Sequence, residues 1–111
     1  ICSIIIRRIE SVHEIPKNDY TKWFDYDRIT SSLVLRTREK GDYITLSEDG
    51  KRKMISRFMI DEKIAPRDRD LMIMPADGSE ILWIPGYRIS ARYRISETTK
   101  NILEITLKYV F

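Results

Sequence analysis

The chain alternates short apolar segments with turn residues, a pattern that is typical of a β-rich domain. Residues 103–110 carry an apolar side chain at every second position, which is the period of a strand with one buried face. Residues 4–9, 20–26 and 33–38 are rich in the β-branched, aromatic and apolar side chains that favour strands. The pattern therefore predicts several short strands, which we expect to pair mainly antiparallel.

Two Asp-Gly pairs predict tight turns between strands. The pair at 49–50 follows the strand-like residues 43–46. The pair at 77–78 separates two apolar runs, residues 71–74 and residues 80–84. Asp-Gly between apolar runs is a strong hairpin signal, since glycine accepts the positive φ that such turns require. We therefore predict two hairpins.

One segment has the spacing of a helix. Apolar side chains recur at intervals of three and four across residues 54–60, which predicts a helix over residues 53–63. Pro66 permits a second, short helical turn to follow it. The predicted fold class is thus α+β and β-rich, with a layered sheet or sandwich and one main helix. The side chains we assign to the core are Trp83, Phe58, Ile81, Ile89 and Leu103.

Composition fits a single globular domain. The chain has 111 residues, of which 42% are hydrophobic and 33% charged, and it contains neither repeats nor a linker-like stretch. We therefore predict one domain over residues 1–111. Since the first residue is not Met, we expect an excised fragment of a longer protein. A single cysteine, Cys2, and the lack of any apolar run near the ~20 residues of a membrane span predict a cytoplasmic protein without membrane contact.

The chain offers little for catalysis or metal binding. One cysteine and one histidine, His13, cannot complete a tetrahedral zinc site, and the four glycines are too dispersed for a phosphate-binding loop. Asp25 and Asp27 alternate in an extended segment and would share a face. Such a pair can act in acid–base chemistry or bind a metal, but turn formation or ion pairing with Lys22 and Arg28 is the favoured interpretation. We predict no active site and no metal site.

Basic residues give the clearest functional signal. Residues 51–70 carry seven positive and four negative side chains, and residues 85–95 hold three arginines, two tyrosines and no acid. Arginine forks onto phosphate oxygens, and tyrosine stacks on exposed bases. The formal net charge of +3 and the pI near 9.1 agree with an anionic partner. This composition indicates a nucleic-acid surface, with a solvated basic strand as the alternative.

Five segments occur in the order found in a known family. They read KWFDYD at 22–27, LRTREKGD at 35–42, FMIDEKI at 58–64, ILWI at 81–84 and GYRIS at 86–90. The last two together are the most specific combination. Through these segments the chain resembles the C-terminal domain of bacterial tRNA(Ile)-lysidine synthetase, over about three-quarters of its length. Pro85 is the one departure, since the family has an aliphatic residue there, and it limits strand pairing before the loop.

The resemblance implies a fold similar to a domain of the phenylalanyl-tRNA synthetase β subunit. The family enzyme is a carbon–nitrogen ligase that uses ATP and Mg²⁺ to join lysine to the wobble cytidine of the CAU anticodon of tRNA(Ile). The product, lysidine, changes the specificity of the tRNA from Met to Ile. The ATP loop of the family, Ser-Gly-Gly-x-Asp-Ser, lies in an N-terminal catalytic domain and is absent from this sequence. We therefore expect an inactive fragment without a cofactor of its own.

The resemblance further implies that the domain holds the tRNA away from its anticodon. We expect contacts to backbone phosphate and ribose of a stem, because A-form helices are recognised by shape. The residues expected to bind tRNA are Arg36, Arg38, Lys51, Lys53, Arg57, Arg67, Arg88, Arg92 and Arg94.

Two alternatives stay open from the sequence. Each basic residue has a structural interpretation, and Arg36 and Arg38 in particular can pair with Asp42 or Glu39. The domain can also be a protein-interaction module, for homodimerisation or for packing on the catalytic domain. An exposed apolar patch around Trp23 would favour that function.

Overall fold

The computed structural model describes the backbone of residues 2–9 and 20–109 and the side chains of residues 20–107. His13 and the side chain of Cys2 lie outside the described residues. In chain order the elements are β1 (Cys2–Ile9), β2 (Thr21–Asp25), a 3-10 turn (Tyr26–Arg28), β3 (Leu33–Arg36), β4 (Tyr43–Thr45), β5 (Arg52–Met54), α1 (Ile55–Asp61), α2 (Pro66–Arg69), β6 (Met74–Asp77), β7 (Glu80–Ile81), β8 (Trp83–Ile84), β9 (Arg88–Ile89) and β10 (Ile102–Tyr109). Within the described part of the chain, no helix has the length and apolar character needed to cross a membrane.

The chain forms two compact units. The terminal unit consists of Ile1–Ile29 and Tyr93–Phe111, and the central unit of Thr30–Arg92. The predicted α+β class with mainly antiparallel pairing is confirmed. The single parallel pairing in the sheets joins β4 to β7, at Tyr43 and Glu80, within the described residues.

The terminal unit is built on an antiparallel sheet of order β1-β10-β2. The predicted final strand is confirmed, and Leu103, Ile105 and Leu107 are buried at alternate positions. Both faces of β10 are covered, because Glu104 is buried as well and accepts a hydrogen bond from Nε1 of Trp23 at 2.7 Å. Trp23 and Glu104 are opposite each other in the strand register, so the bond closes a cross-strand pair.

The exposed apolar patch around Trp23 that would favour a protein-interaction module is not found among the described residues. Trp23 and its neighbour Phe24 are both buried. Strand β2 is covered on both faces, so the alternation that would leave one of the two aromatic rings in solvent does not occur. The protein-interaction alternative therefore lacks the exposed apolar patch that would favour it.

The two carboxylates at the end of β2 organise a turn. Asp25 caps the 3-10 turn by accepting the backbone N–H of Asp27 at 3.1 Å, and it pairs with Nε of Arg28 at 3.5 Å. Asp27 accepts both its hydrogen bonds from the amide of Asn101 at 3.0 Å. Turn formation and the ion pair with Arg28 are confirmed for Asp25, whereas Asp27 lies in the 3-10 turn rather than in the extended segment expected for it.

The central unit has a five-stranded sheet of order β3-β6-β7-β4-β5 and a two-stranded sheet of β8 and β9. One face of the larger sheet packs against α1. The hydrophobic core of the central unit comprises Ile44, Ile55, Phe58, Met59, Ile64, Met74, Ala76, Ile81 and Ile84. Both predicted hairpins are confirmed, and Gly50 adopts a φ of +89° in the turn between β4 and β5.

The main helix is shorter than predicted. It spans Ile55–Asp61, because Lys53 and Met54 extend β5 and pair with β4. A Schellman motif ends it: Ile64 donates its N–H to the carbonyl of Met59 at 3.0 Å, and Lys63 adopts a φ of +57°. The predicted short turn after Pro66 is confirmed as α2.

The predicted core is largely confirmed. Trp83, Phe58, Ile81 and Leu103 are buried, whereas Ile89 is only half-buried. The apolar run expected to begin at residue 71 starts later, with β6, and Leu71 is 73% exposed.

Candidate nucleic-acid interface

Arg36 is built into the sheet rather than offered to a ligand. Its Nη1 donates to Oδ2 of Asp42 at 2.8 Å and to the carbonyl of Thr37 at 3.1 Å. Its Nη2 donates to Oδ1 of Asp42 at 2.9 Å and to the carbonyl of Gly78 at 2.8 Å. The hydrogen bond to Asp42 is the main reason that the pKa of Arg36 is raised. Since all four terminal N–H groups have acceptors, the structural alternative holds for this residue.

A polar cluster lies on the face of the central sheet opposite the core. Strand register places Tyr43, Thr45, Glu80 and Arg52 on this face, because Tyr43 pairs with Glu80 and Thr45 pairs with Arg52. Glu80 is buried, and it accepts from the Thr45 hydroxyl at 2.7 Å and from the Tyr43 hydroxyl at 3.3 Å. The exposed guanidinium of Arg52 lies over the Tyr43 ring, 4.3 Å from its centroid.

Two of the predicted arginines join this cluster. Nε of Arg92 lies 3.6 Å from Oε1 of Glu80, and Nη2 of Arg88 donates to the carbonyl of Leu46 at 2.9 Å. Leu46 in turn bonds to the backbone of Lys51 at the end of the β4–β5 hairpin. We call the four exposed cations at this place the hairpin-end surface; they are Lys51, Arg52, Arg88 and Arg92.

A second group of cations, Lys53 on β5 and Arg57 on α1, shares one acid. Nζ of Lys53 is 2.7 Å from Oδ2 of Asp61, and Nε of Arg57 is 3.1 Å from Oδ1 of the same residue. The hydrogen bond from Lys53 and the charge of Arg57 lower the pKa of Asp61. Lys53 also lies over the ring of Phe58, 5.8 Å from its centroid. Two cations and one acid give this group a net charge of about +1. It therefore attracts an anion less strongly than the hairpin-end surface does.

Arg38 lies in a groove of mixed charge. Its Nε is 2.8 Å from Oδ1 of Asp70. The groove has a volume of about 480 Å³, and its lining includes Lys40, Glu39 and Met54. The lining holds three acids and two bases, so the groove is not a strongly attractive site for phosphate.

The last two predicted residues belong to none of these groups. Arg67 is exposed on α2, and Arg94 is exposed in the terminal unit. The structure therefore gathers three of the nine predicted residues, Lys51, Arg88 and Arg92, at one place. Among the described side chains there is no group of three or more His, Cys, Asp or Glu residues arranged to hold a metal ion.

A family model described as the TilS substrate C-terminal domain matches residues 33–106, which is more than half of the chain. The chain belongs to this family. The match includes the whole hairpin-end surface and the polar cluster beneath it.

Curated proteins similar in sequence to this chain support its assignment to the TilS family. The tRNA(Ile)-lysidine synthase of Caldanaerobacter subterraneus subsp. tengcongensis is 39% identical over 98 residues, covering 87% of this chain and 21% of that protein. The tRNA(Ile)-lysidine synthase of Clostridium tetani is 39% identical over 107 residues, covering 91% of this chain and 23% of that protein. The chain thus spans about a fifth of the length of these curated relatives. A crystal structure of a TILS C-terminal domain is similar in fold, with a TM-score of 0.78 and 24% identity over 96% of this chain and 83% of that chain.

Sequence reasoning missed four members of the polar cluster within this TilS domain: Tyr43, Thr45, Arg52 and Glu80. Arg52 lies in the basic run at 51–53, but its separation from Lys53 onto the opposite face follows only from the pairing of β5 with β4. No comparable signal marks Glu80. Its burial depends on the pairing of β7 with β4, which brings together residues 37 positions apart.

Proposed function

We propose that this chain is the tRNA-binding domain of a tRNA(Ile)-lysidine synthetase. The observation that carries the proposal is the hairpin-end surface, where four exposed cations are gathered: Lys51 and Arg52 belong to the β4–β5 hairpin, and Arg88 and Arg92 to the segment that bonds to it. Backbone and side-chain hydrogen bonds join these segments, so the Cα positions of the four cations are fixed relative to one another before RNA binds and can match successive phosphates. Membership of the family, whose relatives are named tRNA(Ile)-lysidine synthases, supports tRNA as the nucleic acid.

The domain binds the backbone of an A-form stem. The deep groove of an A-form helix is too narrow for side chains, so phosphate oxygens and 2′-hydroxyls are the accessible groups. Arg52, Arg88 and Arg92 provide planar forks for phosphate, and Lys51 adds a mobile charge. We propose weaker contacts from Arg38, Lys53, Arg57, Arg67 and Arg94, and none from Arg36.

The parent enzyme carries out the chemistry elsewhere. An N-terminal catalytic domain binds ATP with Mg²⁺ and ligates lysine to the wobble cytidine of the CAU anticodon of tRNA(Ile), in the cytoplasm. The present domain, inactive by itself and devoid of a cofactor, contributes a second binding site on the same tRNA. A tethered second site raises the effective concentration of the first, so it lowers the KM for tRNA.

The test is a pair of double charge reversals in the full-length enzyme. Arg52→Glu with Arg88→Glu removes half of the hairpin-end surface. Lys40→Glu with Lys100→Glu makes the same change in net charge at exposed lysines outside that surface. We expect the first variant to raise the KM for tRNA roughly ten-fold or more, and the second by much less, because local phosphate contacts dominate over net charge.

The KM values for ATP and for lysine should stay unchanged in both variants. Equal increases in the KM for tRNA would show that only net charge matters and would remove the hairpin-end surface from the proposal. A changed KM for ATP would assign the two arginines a structural role in the parent enzyme.

A further inference from the structure

Glu80 is an acid buried beneath a surface that we propose to bind RNA. Its side chain is 6% exposed, whereas that of Arg92 is 42% exposed. A carboxylate at this place repels phosphate, so a purely electrostatic account gives it an unfavourable effect on RNA binding. Its contacts indicate another role.

The backbone brings Arg92 to Glu80 from a separate segment. Ala91 donates its N–H to the carbonyl of Thr45 at 2.9 Å, which fixes this segment beside the end of β4. The N–H of Arg92 bonds to Oγ of the fully buried Ser90 at 3.1 Å. The base of the Arg92 side chain is therefore held in place, and the contact with Glu80 holds its guanidinium end.

Glu80 also reaches Arg52, through the ring of Tyr43. The Tyr43 hydroxyl donates to Oε1 of Glu80, the oxygen that also faces Nε of Arg92. Arg52 lies over the face of the same Tyr43 ring. Arg52 and Arg92 both lie near this phenol: the guanidinium of Arg52 is 4.3 Å from the ring centroid, and Nε of Arg92 faces the carboxylate oxygen to which the Tyr43 hydroxyl donates.

We propose that Glu80 is a positioning residue for RNA binding, which aligns Arg92 directly and Arg52 through Tyr43 so that both guanidinium groups contact the phosphodiester backbone of one RNA strand. This inference rests on the proposed function. Arginine and lysine side chains lose much rotamer freedom when they bind, and alignment before binding removes part of that cost. The gain from alignment exceeds the repulsion, because Glu80 is shielded from the phosphate by the two arginines that it orients.

The direction in which one substitution changes RNA affinity separates alignment from electrostatics. Glu80→Gln removes the charge and preserves the size of the side chain. Its matched control is Glu48→Gln, the same change at an exposed position in the β4–β5 turn. Binding is measured with the full 111-residue chain and a transcript of tRNA(Ile) over a salt series.

We expect Glu80→Gln to weaken binding roughly three- to ten-fold and to reduce the salt slope by about one phosphate contact, although it makes the chain more positive. Glu48→Gln should bind as tightly as the wild type, or slightly more tightly. If Glu80→Gln binds as tightly as Glu48→Gln, the positioning role is wrong while the proposed function stands. If the wild type itself does not bind the transcript, the proposed function fails first.

A second measurement distinguishes positioning from a general effect on folding. The double variant Glu80→Gln with Arg92→Gln should lose less affinity than the sum of the two single losses, since only the alignment of Arg52 is left for Glu80→Gln to remove. Fully additive losses would contradict the inference. Should Glu80→Gln fail to fold, Arg92→Lys tests the same contact: it keeps the charge but loses the fork, so we expect it to bind several-fold more weakly than the wild type. Wild-type affinity in Arg92→Lys would overturn the proposal.

Discussion

Arg36 and Asp42 form a two-pronged ion pair in the central unit, with Nη1 2.8 Å from Oδ2 and Nη2 2.9 Å from Oδ1. Asp42 is almost fully buried, and it also accepts the backbone N–H of Glu39 at 2.7 Å. The pair joins the end of β3 to the turn before β4. Its role is to hold these two segments together, which explains why a basic turn in this sequence does not by itself mark a contact with RNA.

Removing the charge of Asp42 should destabilise the domain. Asp42→Asn leaves Arg36 without its main partner, and we expect the free energy of unfolding to fall by about 3 kcal/mol, the lower end for a broken buried pair, because Arg36 retains some contact with solvent. Glu39→Gln is the control, since Glu39 is exposed and lies 3.8 Å from Nε of the same arginine; it should cost less than about 0.5 kcal/mol. Urea denaturation measures both, and equal stabilities of the two variants would contradict the structural role.

The buried bond between Trp23 and Glu104 gives a prediction for the terminal unit. Glu104→Ala leaves the indole N–H of Trp23 without this acceptor, so we expect a loss of about 2 kcal/mol in the free energy of unfolding. Glu104→Gln retains an acceptor oxygen and should lose less than half as much. Denaturant unfolding followed by tryptophan fluorescence compares them, and the account fails at this point if alanine and glutamine are equally tolerated.

Asp61 should act on RNA binding with a sign opposite to that of Glu80. Asp61 is more exposed than Glu80. It forms ion pairs with Lys53 and Arg57, two cations that we propose as weaker RNA contacts. Asp61→Asn releases both, so we expect the affinity for tRNA to rise roughly two- to three-fold. Asp68→Asn, an equal change of charge at an exposed position on α2, is the control. An equal gain in the two variants would mean that Lys53 and Arg57 make no contact of their own.

Tyr43 should make stability fall at alkaline pH. Its pKa is raised first by burial and then by the charge of Glu80, so the folded state favours the neutral phenol. Its contribution is complete below the unfolded pKa of about 10 and is lost as the pH rises through the higher folded value. Tyr43→Phe should remove this part of the decline, whereas Tyr87→Phe, at an exposed ring, should not. Unfolding measured between about pH 9 and pH 11 gives the comparison, and identical slopes for the two variants would refute it.

Much of the fold could be predicted because local signals agreed with the final structure. The Asp-Gly turns, the alternating pattern of the last strand and the short turn after Pro66 are all encoded within a few residues. The start of α1 could not be placed from periodicity, because pairing of Lys53 and Met54 with β4 outweighs the helical spacing. The burial of Trp23 likewise depends on both faces of β2 being covered, which no local pattern shows.

The candidate site was predictable in composition but not in arrangement. The basic segments around Lys51 and Arg88 were visible in the sequence, and the structure brings them together at one hairpin end. The separation of Arg52 from Lys53 onto opposite faces follows only once β5 is known to be a strand. The burial of Glu80 could not be predicted, since a glutamate beside a turn is most often a solvated side chain.

The most direct test of the central claim is the salt dependence of binding between this chain and tRNA(Ile) with a CAU anticodon. Four phosphate contacts at the hairpin-end surface predict a plot of log affinity against log salt with a slope of about −3. The double variant Arg52→Glu with Arg88→Glu should bind much more weakly and with a shallower slope. No binding at low salt, or wild-type binding that does not change with salt, would contradict the account.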